Sequence, residues 1–206
     1  MNALCTEDPA TIADQAVANA AAEIHTGRLV LKSPVRVDAA TVVALANNKA
    51  IAENLATMPY PYAEQDALEW FAGKTEARVG GRLFSIHLDI PGDKFIGTIG
   101  YGPMQEGGNP EIGYWIGEPY WGFGYASEAA KAVVDYAFEE DEIVILEGGA
   151  RITNAASRRV LEKCGFEYQG FGKTYCRALD EEVPVDRFAL TRPRYQGLKW
   201  RRRTRA

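Results

Sequence analysis

The chain has 206 residues, 47% apolar and 25% charged, which is enough for one domain with a real core. Three scattered cysteines (Cys5, Cys164, Cys176) and two histidines (His25, His87) argue against a disulfide framework and against a zinc or histidine-rich metal centre. Net charge is −5, yet Lys199, Arg201, Arg202, Arg203 and Arg205 crowd the last eight residues, so the body before them carries −10. An acidic body either draws cationic partners such as free amines or is an ordinary solvated surface.

Asp8 as N-cap and Pro9 at the first helical position predict a helix over 8–24, with Ile12, Ala16, Ala20 and Ile24 on one stripe. Residues 1–25 therefore read as an N-terminal helical extension. A short strand follows at 28–32, then a helix from Asp38 to about Asn48, a Pro-rich loop at 55–63 and a helix over 64–78. Phe84, Ile86, Leu88 and Ile90 alternate with Ser85, His87 and Asp89, which predicts a half-buried strand. Pro91-Gly92-Asp93 turns the chain into a returning strand, 95–101. A loop at 102–109 leads to a buried strand, 111–117. Ala126, Ala129, Ala130, Val133, Val134, Ala137 and Phe138 then recur at helical spacing, predicting a helix over 125–138. A strand at 143–148 comes next, followed by a helix opened by Asn154 and closed by Gly165. A hairpin, 166–176 with 183–190, completes a domain over 26–192. The basic tail, 193–206, reads as a frayed terminus rather than a specific nucleic-acid contact. No apolar run reaches the roughly 18 residues of a membrane span, and the N-terminus lacks a signal-peptide pattern. The expectation is a cytoplasmic protein with no membrane partner.

The segment Trp121-Gly122-Phe123-Gly124-Tyr125-Ala126-Ser127-Glu128 carries the chemistry. Glycines between a strand and a helix can present several backbone N–H groups to a phosphate at the positive end of the helix. A dinucleotide fingerprint would need a third glycine where Ser127 stands, and Asp141 and Glu142 come at the start of the next strand instead of its end. A P-loop would need Gly-Lys-Ser/Thr where Glu128 and Ala129 follow. A packing turn without a ligand is the plainest alternative.

This turn resembles the coenzyme A pyrophosphate loop of the GNAT N-acetyltransferases, Gln/Arg-x-x-Gly-x-Gly/Ala, matching it at Gly124 and Ala126 with Trp121 in place of Gln or Arg. A second motif, Asn154-Ala-Ala-Ser157-Arg-Arg-Val160-Leu161-Glu162-Lys163-Cys164-Gly165-Phe166, resembles the GNAT segment N-x-x-S-x-x-(V/L)-L-E-K-x-G-F. Glu111-Ile-Gly-Tyr-Trp-Ile116 and the turn at 120–129 resemble the RimJ/RimL branch, the ribosomal-protein N-acetyltransferases. The resemblance spans about 26–192. It implies a mixed α/β (α+β) GNAT fold: a mostly antiparallel twisted sheet, one splayed parallel pair, and helices on both faces. It implies acetyl-CoA as co-substrate without a metal, and an amine acceptor: an N-terminal α-amine, or alternatively a small-molecule amine. Family members also commonly form homodimers through the hairpin. By resemblance, Trp121, Gly122, Phe123, Gly124, Tyr125 and Ala126 cap the pyrophosphate. The backbone of Trp115, Ile116 and Gly117 pairs with the pantetheine arm, and Asn154 contacts it while capping its helix.

The chain departs from the superfamily at the proton-transfer groups. The usual tyrosine acid falls on Leu161 and a common carboxylate on Gly149. Ser157 then becomes the candidate donor to the leaving thiolate; Glu111 on the central strand and Glu147 on its neighbour are the candidate bases, with an ordered water and a backbone carbonyl as the alternative. Tyr60, Tyr62 and His87, with Trp70 and Tyr175, are candidate walls of the acceptor site. Cys164 reads as core. A non-catalytic acyl-CoA-binding module and a nucleotide-dependent oxidoreductase are the competing functions.

Overall fold

A computed structural model describes residues 23–32, 39–75, 81–104 and 107–198, apart from the side chains of 70–75. Among the described residues, eight strands form one sheet in the order β1-β2-β3-β4-β5-β6-β8-β7. They are β1 (Ile24–His25), β2 (Leu29–Lys32), β3 (Arg82–Leu88), β4 (Lys94–Pro103), β5 (Pro110–Ile116), β6 (Ile145–Arg151), β7 (Glu167–Cys176) and β8 (Glu181–Thr191). The helices are α1 (Ala39–Ala46), α2 (Lys49–Ala52), α3 (Glu64–Thr75), α4 (Tyr125–Glu139), α5 (Ala155–Lys163) and α6 (Arg192–Gln196). Every neighbouring pair is antiparallel except β5 and β6, which are parallel. This is the mixed α/β sheet that the sequence predicts.

Two apolar layers sandwich the sheet. On one face Ala129, Ala130, Val133, Val134, Ala137 and Phe138 of α4, with Val160 and Leu161 of α5, pack on Leu29, Ile86, Ile99, Ile112 and Leu146. On the other, Val42, Ala46, Ile51, Ala52, Tyr62 and Ala67 of the α1–α3 region pack on Phe95 and Trp115. The α4 stripe and the α5 boundaries match the expected periodicity and caps. The Asn154 side chain accepts from the Ser157 N–H at 3.0 Å, and Gly165 takes φ +86°, a left-handed helix end that disfavours side chains.

Four expectations need correction. First, residues 24 and 25 form an edge strand on β2, not the end of a helix; residues 1–22 of the predicted extension lie outside the described residues. Second, β3 is buried on both faces, not half-buried. Ser85 is 0% and His87 6% exposed, with the Phe95 ring 5.7 Å from the imidazole on the side that alternation assigned to solvent. Their polar atoms satisfy one another: His87 Nε2 meets Ser85 Oγ at 3.0 Å, and Ser85 Oγ donates to the Lys32 carbonyl at 3.1 Å. Third, β6 begins at Ile145 and runs to Arg151, later than expected, and Val144 remains exposed before it. Fourth, the chain after β8 does not fray at 193. Its α6 helix seats Tyr195 fully buried, stacked 4.6 Å from Phe138, with its hydroxyl donating to Asp135 at 2.6 Å. Residues 199–206 lie outside the described residues.

Because Tyr195 closes the end of the α4 core, Tyr195→Ala should lower unfolding free energy by about 3 kcal/mol, the usual cost of truncating a buried aromatic. A urea melt reads it directly. A change within about 0.5 kcal/mol would mean that α6 packs only loosely.

Candidate active site

The site begins where β5 and β6 part. Their parallel register contains two pairs, Glu111 with Glu147 and Ile112 with Gly148, and stops there although both strands continue. On its other side β5 stays paired with β4 through Trp115 opposite Thr98 and Ile116 opposite Gly97. The Gly117 N–H continues this ladder to the Ile96 carbonyl at 2.8 Å. Alternation in an antiparallel ladder then turns the main-chain groups of Trp115 toward β4, and those of Tyr114 and Ile116 toward the gap. Of the three residues expected to offer backbone groups to a ligand arm, only Ile116 faces the gap. Trp115 and the Gly117 N–H are spent on β4, and Tyr114 joins Ile116.

The turn at the mouth of this gap is built by two glycines. Gly122 has φ +84° and Gly124 φ +82°, left-handed conformations that side chains rarely adopt. A Cβ at Gly122 would meet nothing within 4 Å, so the backbone there is open to a ligand. Gly124 caps the 15-residue α4, with no side-chain cap hydrogen bond among the described residues. The first intrahelical bond runs from the Glu128 N–H to the Gly124 carbonyl at 3.1 Å, which leaves the N–H groups of Tyr125, Ala126 and Ser127 without helical acceptors. Trp121, standing where the family has Gln or Arg, donates its indole N–H to the Ile116 carbonyl at 2.6 Å. The indole thereby fastens the turn to the end of β5. Phe123 is 60% exposed and stacks on Tyr125 with ring centres 5.8 Å apart.

Glu128 would put a negative charge in the first turn of this helix, beside its free N–H groups. Two residues just before β2 hold it. Thr26 Oγ1 donates to Glu128 Oε1 at 2.6 Å, the Arg28 N–H to the same oxygen at 2.8 Å, and Arg28 Nη2 pairs with Oε2 at 2.6 Å. Arg28 Nη1 also donates to the Phe123 carbonyl at 3.0 Å. Burial pushes the Glu128 pKa up, but the Thr26 and Arg28 bonds outweigh it and the net shift is downward. Sequence reasoning missed Thr26 and Arg28, which lie about a hundred residues from their partner. Asp141, the acidic residue weighed for a dinucleotide fold, instead accepts from Arg82 at 2.7 Å and from the Tyr101 hydroxyl at 2.6 Å.

A cleft of ≈ 1650 Å³ joins the turn to the gap and to the opposite face of β5, lined by Gly122, Gly124, Tyr125, Ala126, Trp115, Ile116, Asn154, Ser157, Glu111 and Tyr62 among others. Burial raises the Glu111 pKa; Arg187 opposes this at 3.4 Å, while Glu147 adds to it. A Cβ on Gly149 would sit 3.2 Å from Glu111 Oε1. Glu111 thus brings a carboxylate to the neighbourhood where relatives carry one at the position of Gly149. Leu161, at the usual tyrosine position, is 1% exposed and lies in the core against Gly148. The phenol near Ser157 is Tyr114, whose hydroxyl lies 3.0 Å from Ser157 Oγ. Burial raises the Tyr114 pKa, so the phenol stays protonated.

The expected acceptor walls separate. Tyr62 is 5% exposed and lines the cleft, and burial followed by the charge of Asp66 pushes its hydroxyl up to about 12. His87 does not line the cleft: it is enclosed in the sheet, 5.7 Å from the Phe95 ring, which in turn contacts Trp115. Tyr60 and Tyr175 are exposed and also lie outside the cleft lining. The Trp70 side chain falls outside the described residues. Cys164 is fully buried and its thiol is pushed up to about 12 by burial, as fits a core residue. Among the described residues, no group of three or more His, Cys, Asp or Glu side chains could hold a metal ion, and no helix is long and apolar enough to cross a membrane.

With this geometry in view, the comparison with known families is direct: residues 28–167 match the acetyltransferase (GNAT) domain. The chain belongs to the GNAT acetyltransferase family. It is 34% identical over 106 residues to the uncharacterized N-acetyltransferase p20 of Bacillus licheniformis, a match spanning 51% of this chain and 60% of that protein. The fold is similar to that of Mycobacterium smegmatis RimJ in complex with CoA-disulfide, with TM-score 0.68, 26% identity, and coverage of 80% of this chain and 82% of that one. It is also similar to spermidine N-acetyltransferase from Vibrio cholerae in complex with CoA and spermine, with TM-score 0.69, 20% identity, and coverage of 83% and 99%.

The Glu128 network makes a pH prediction. Its folded-state pKa is depressed, so its contribution is present above the unfolded carboxylate pKa and disappears as pH falls through the folded value. The stability gap between the parent protein and Glu128→Gln should be full at pH 7 and close as the solution is acidified below the ordinary carboxylate range. Melting temperatures measured across that range test this. A gap independent of pH would contradict the assignment.

Proposed function

We propose that the protein transfers the acetyl group of acetyl-CoA directly to a primary amine, and that the amine is the N-terminal α-amine of a protein or peptide. The observation that carries this reading is the uncapped α4 N-terminus, with its two left-handed glycines, opening onto the gap between β5 and β6. One end suits a pyrophosphate, and the gap suits an amide-containing arm that pairs with Ile116 and Tyr114 as a strand would. The backbone of 121–126 would hold the pyrophosphate, and Asn154 would contact the arm while capping α5.

The chemistry needs two proton movements. The amine nitrogen must be neutral to attack the thioester carbon. At pH 7 this costs about 4.6 kcal/mol for an ordinary lysine but about 1 kcal/mol for an α-amine. For an α-amine, a single carboxylate with a raised pKa is base enough. Glu111 has that shift and opens onto the cleft. Glu111 takes the proton lost by the amine, directly or through one water, as the C–N bond forms. The C–S bond then breaks, and the Ser157 hydroxyl donates a hydrogen bond to the departing thiolate, which takes its proton from solvent. The likeness to RimJ favours a peptide acceptor. Glu53, Asp66 and Glu69 also line the cleft, and together with the likeness to a spermidine acetyltransferase they favour a small polyamine as the second reading.

Thiol release from acetyl-CoA across a panel of peptides with free N-termini, lysine side chains and polyamines decides between these. Peptide-dependent release supports the proposal, and release with polyamines alone supports the second reading. CoA binding without release anywhere on the panel would favour a binding module. With the acceptor in hand, Glu111→Gln should lower kcat by about 10²-fold or more. It should also remove an acidic limb of the pH–rate profile that lies above the ordinary carboxylate range. Arg187→Met removes the cation that opposes the shift and should move that limb to still higher pH. An unchanged limb in both variants would exclude Glu111 as the base.

A further inference from the structure

The Ser157 hydroxyl has one hydrogen and several places to send it. A serine in the first turn of a helix commonly turns its hydroxyl back onto a backbone carbonyl, where it would be lost to a ligand. In this protein Ser157 does not stand alone. Its N–H is held by the Asn154 side chain at 3.0 Å, which fixes the helix end. The Tyr114 hydroxyl lies 3.0 Å from Ser157 Oγ and 3.3 Å from the Ser157 carbonyl. Tyr114 sits on β5 two residues past Ile112, the last residue registered with β6, so its ring stands beside the gap itself.

We propose that Tyr114 is a positioning residue for thiolate departure: its phenol O–H donates to Ser157 Oγ and so aims the Ser157 hydrogen at the thioester sulfur. The inference rests on the acetyl-CoA reading above. Two arrangements of the pair are available. In one, Ser157 donates to the phenol oxygen while the phenol donates to the Ser157 carbonyl. In the other, the phenol donates to Oγ and the Ser157 hydrogen is free. A sulfur carrying negative charge selects the second, because it offers that hydrogen an acceptor, and a hydroxyl that already accepts one bond donates a stronger one. Tyr114 does not itself protonate the sulfur. Its buried phenol holds its proton far more tightly than a thiol does, so its part is to orient and polarise. The chain thereby supplies a phenol from the strand where relatives use a tyrosine from the helix at the position of Leu161.

The test needs no acceptor amine. CoA bound to the full-length protein is titrated through its ultraviolet thiolate band, in the parent and in Tyr114→Phe, Ser157→Ala and the double variant. Bound thiol should ionise at lower pH than free CoA in the parent. Tyr114→Phe should raise that pKa by roughly half to one unit, the size of one hydrogen bond. Ser157→Ala should raise it at least as much, and adding Tyr114→Phe to Ser157→Ala should do nothing more. Equal pKa values in the parent and Tyr114→Phe, or additive effects in the double variant, overturn the role of Tyr114 and leave the acetyl-CoA reading standing. A parent protein that does not bind CoA overturns both.

Discussion

Two residue pairs hold β5 to β6, and past Ile112 and Gly148 the strands separate. Separating strands leave backbone donors and acceptors that a buried interior cannot tolerate unpaired. The rest of the site follows from managing that gap. β4 keeps β5 straight on one side through Trp115 and Gly117. The Trp121 indole ties down the Ile116 carbonyl at the open end. Tyr114 and Ser157 close the wedge over α5. What remains is a slot with the turn of Gly122 and Gly124 at one end and the Glu111 carboxylate on the opposite face.

Charge is handled by pairing at each end of this slot. An acid in the first turn of α4 stabilises the helix but would repel a phosphate, and the Arg28 contacts neutralise it while also donating to the Phe123 carbonyl. Glu111 is treated oppositely. Its partner Arg187 is 3.4 Å away and its neighbour Glu147 is a like charge, so burial prevails and the carboxylate is left more basic than usual. One carboxylate is thus held in its charged form, while the other is shifted toward its protonated form.

The glycine turn, the α4 stripe and the Asn154 to Gly165 helix were legible because each is encoded locally, by left-handed turn residues, a 3.6-residue period or a cap. The centre of the site was only partly legible. Glu111 could be chosen as a strand carboxylate, but its proximity to the backbone of Gly149 depends on the pairing of two strands whose register partners, Glu111 and Glu147, are far apart in the chain. Tyr114 left only a faint trace, a polar tip in the apolar face of Ile112 and Ile116. His87 misled because strand alternation marks two faces without saying whether a second layer covers one. Tyr195 was hidden in a segment whose composition reads as a tail, since its burial depends on Phe138 far earlier in the chain. The contacts of Arg28 and Thr26 with Glu128 were invisible for the same reason.

The central claim is that the gap between β5 and β6 receives the ligand arm through the backbone of Tyr114 and Ile116. Residue-resolved amide hydrogen exchange with and without CoA measures it most directly. The account predicts that CoA slows exchange at Tyr114 and Ile116 and at the turn amides 122–126, while Trp115 and Gly117, already paired with β4, change little. Protection that leaves Tyr114 and Ile116 untouched, with CoA bound, would contradict it.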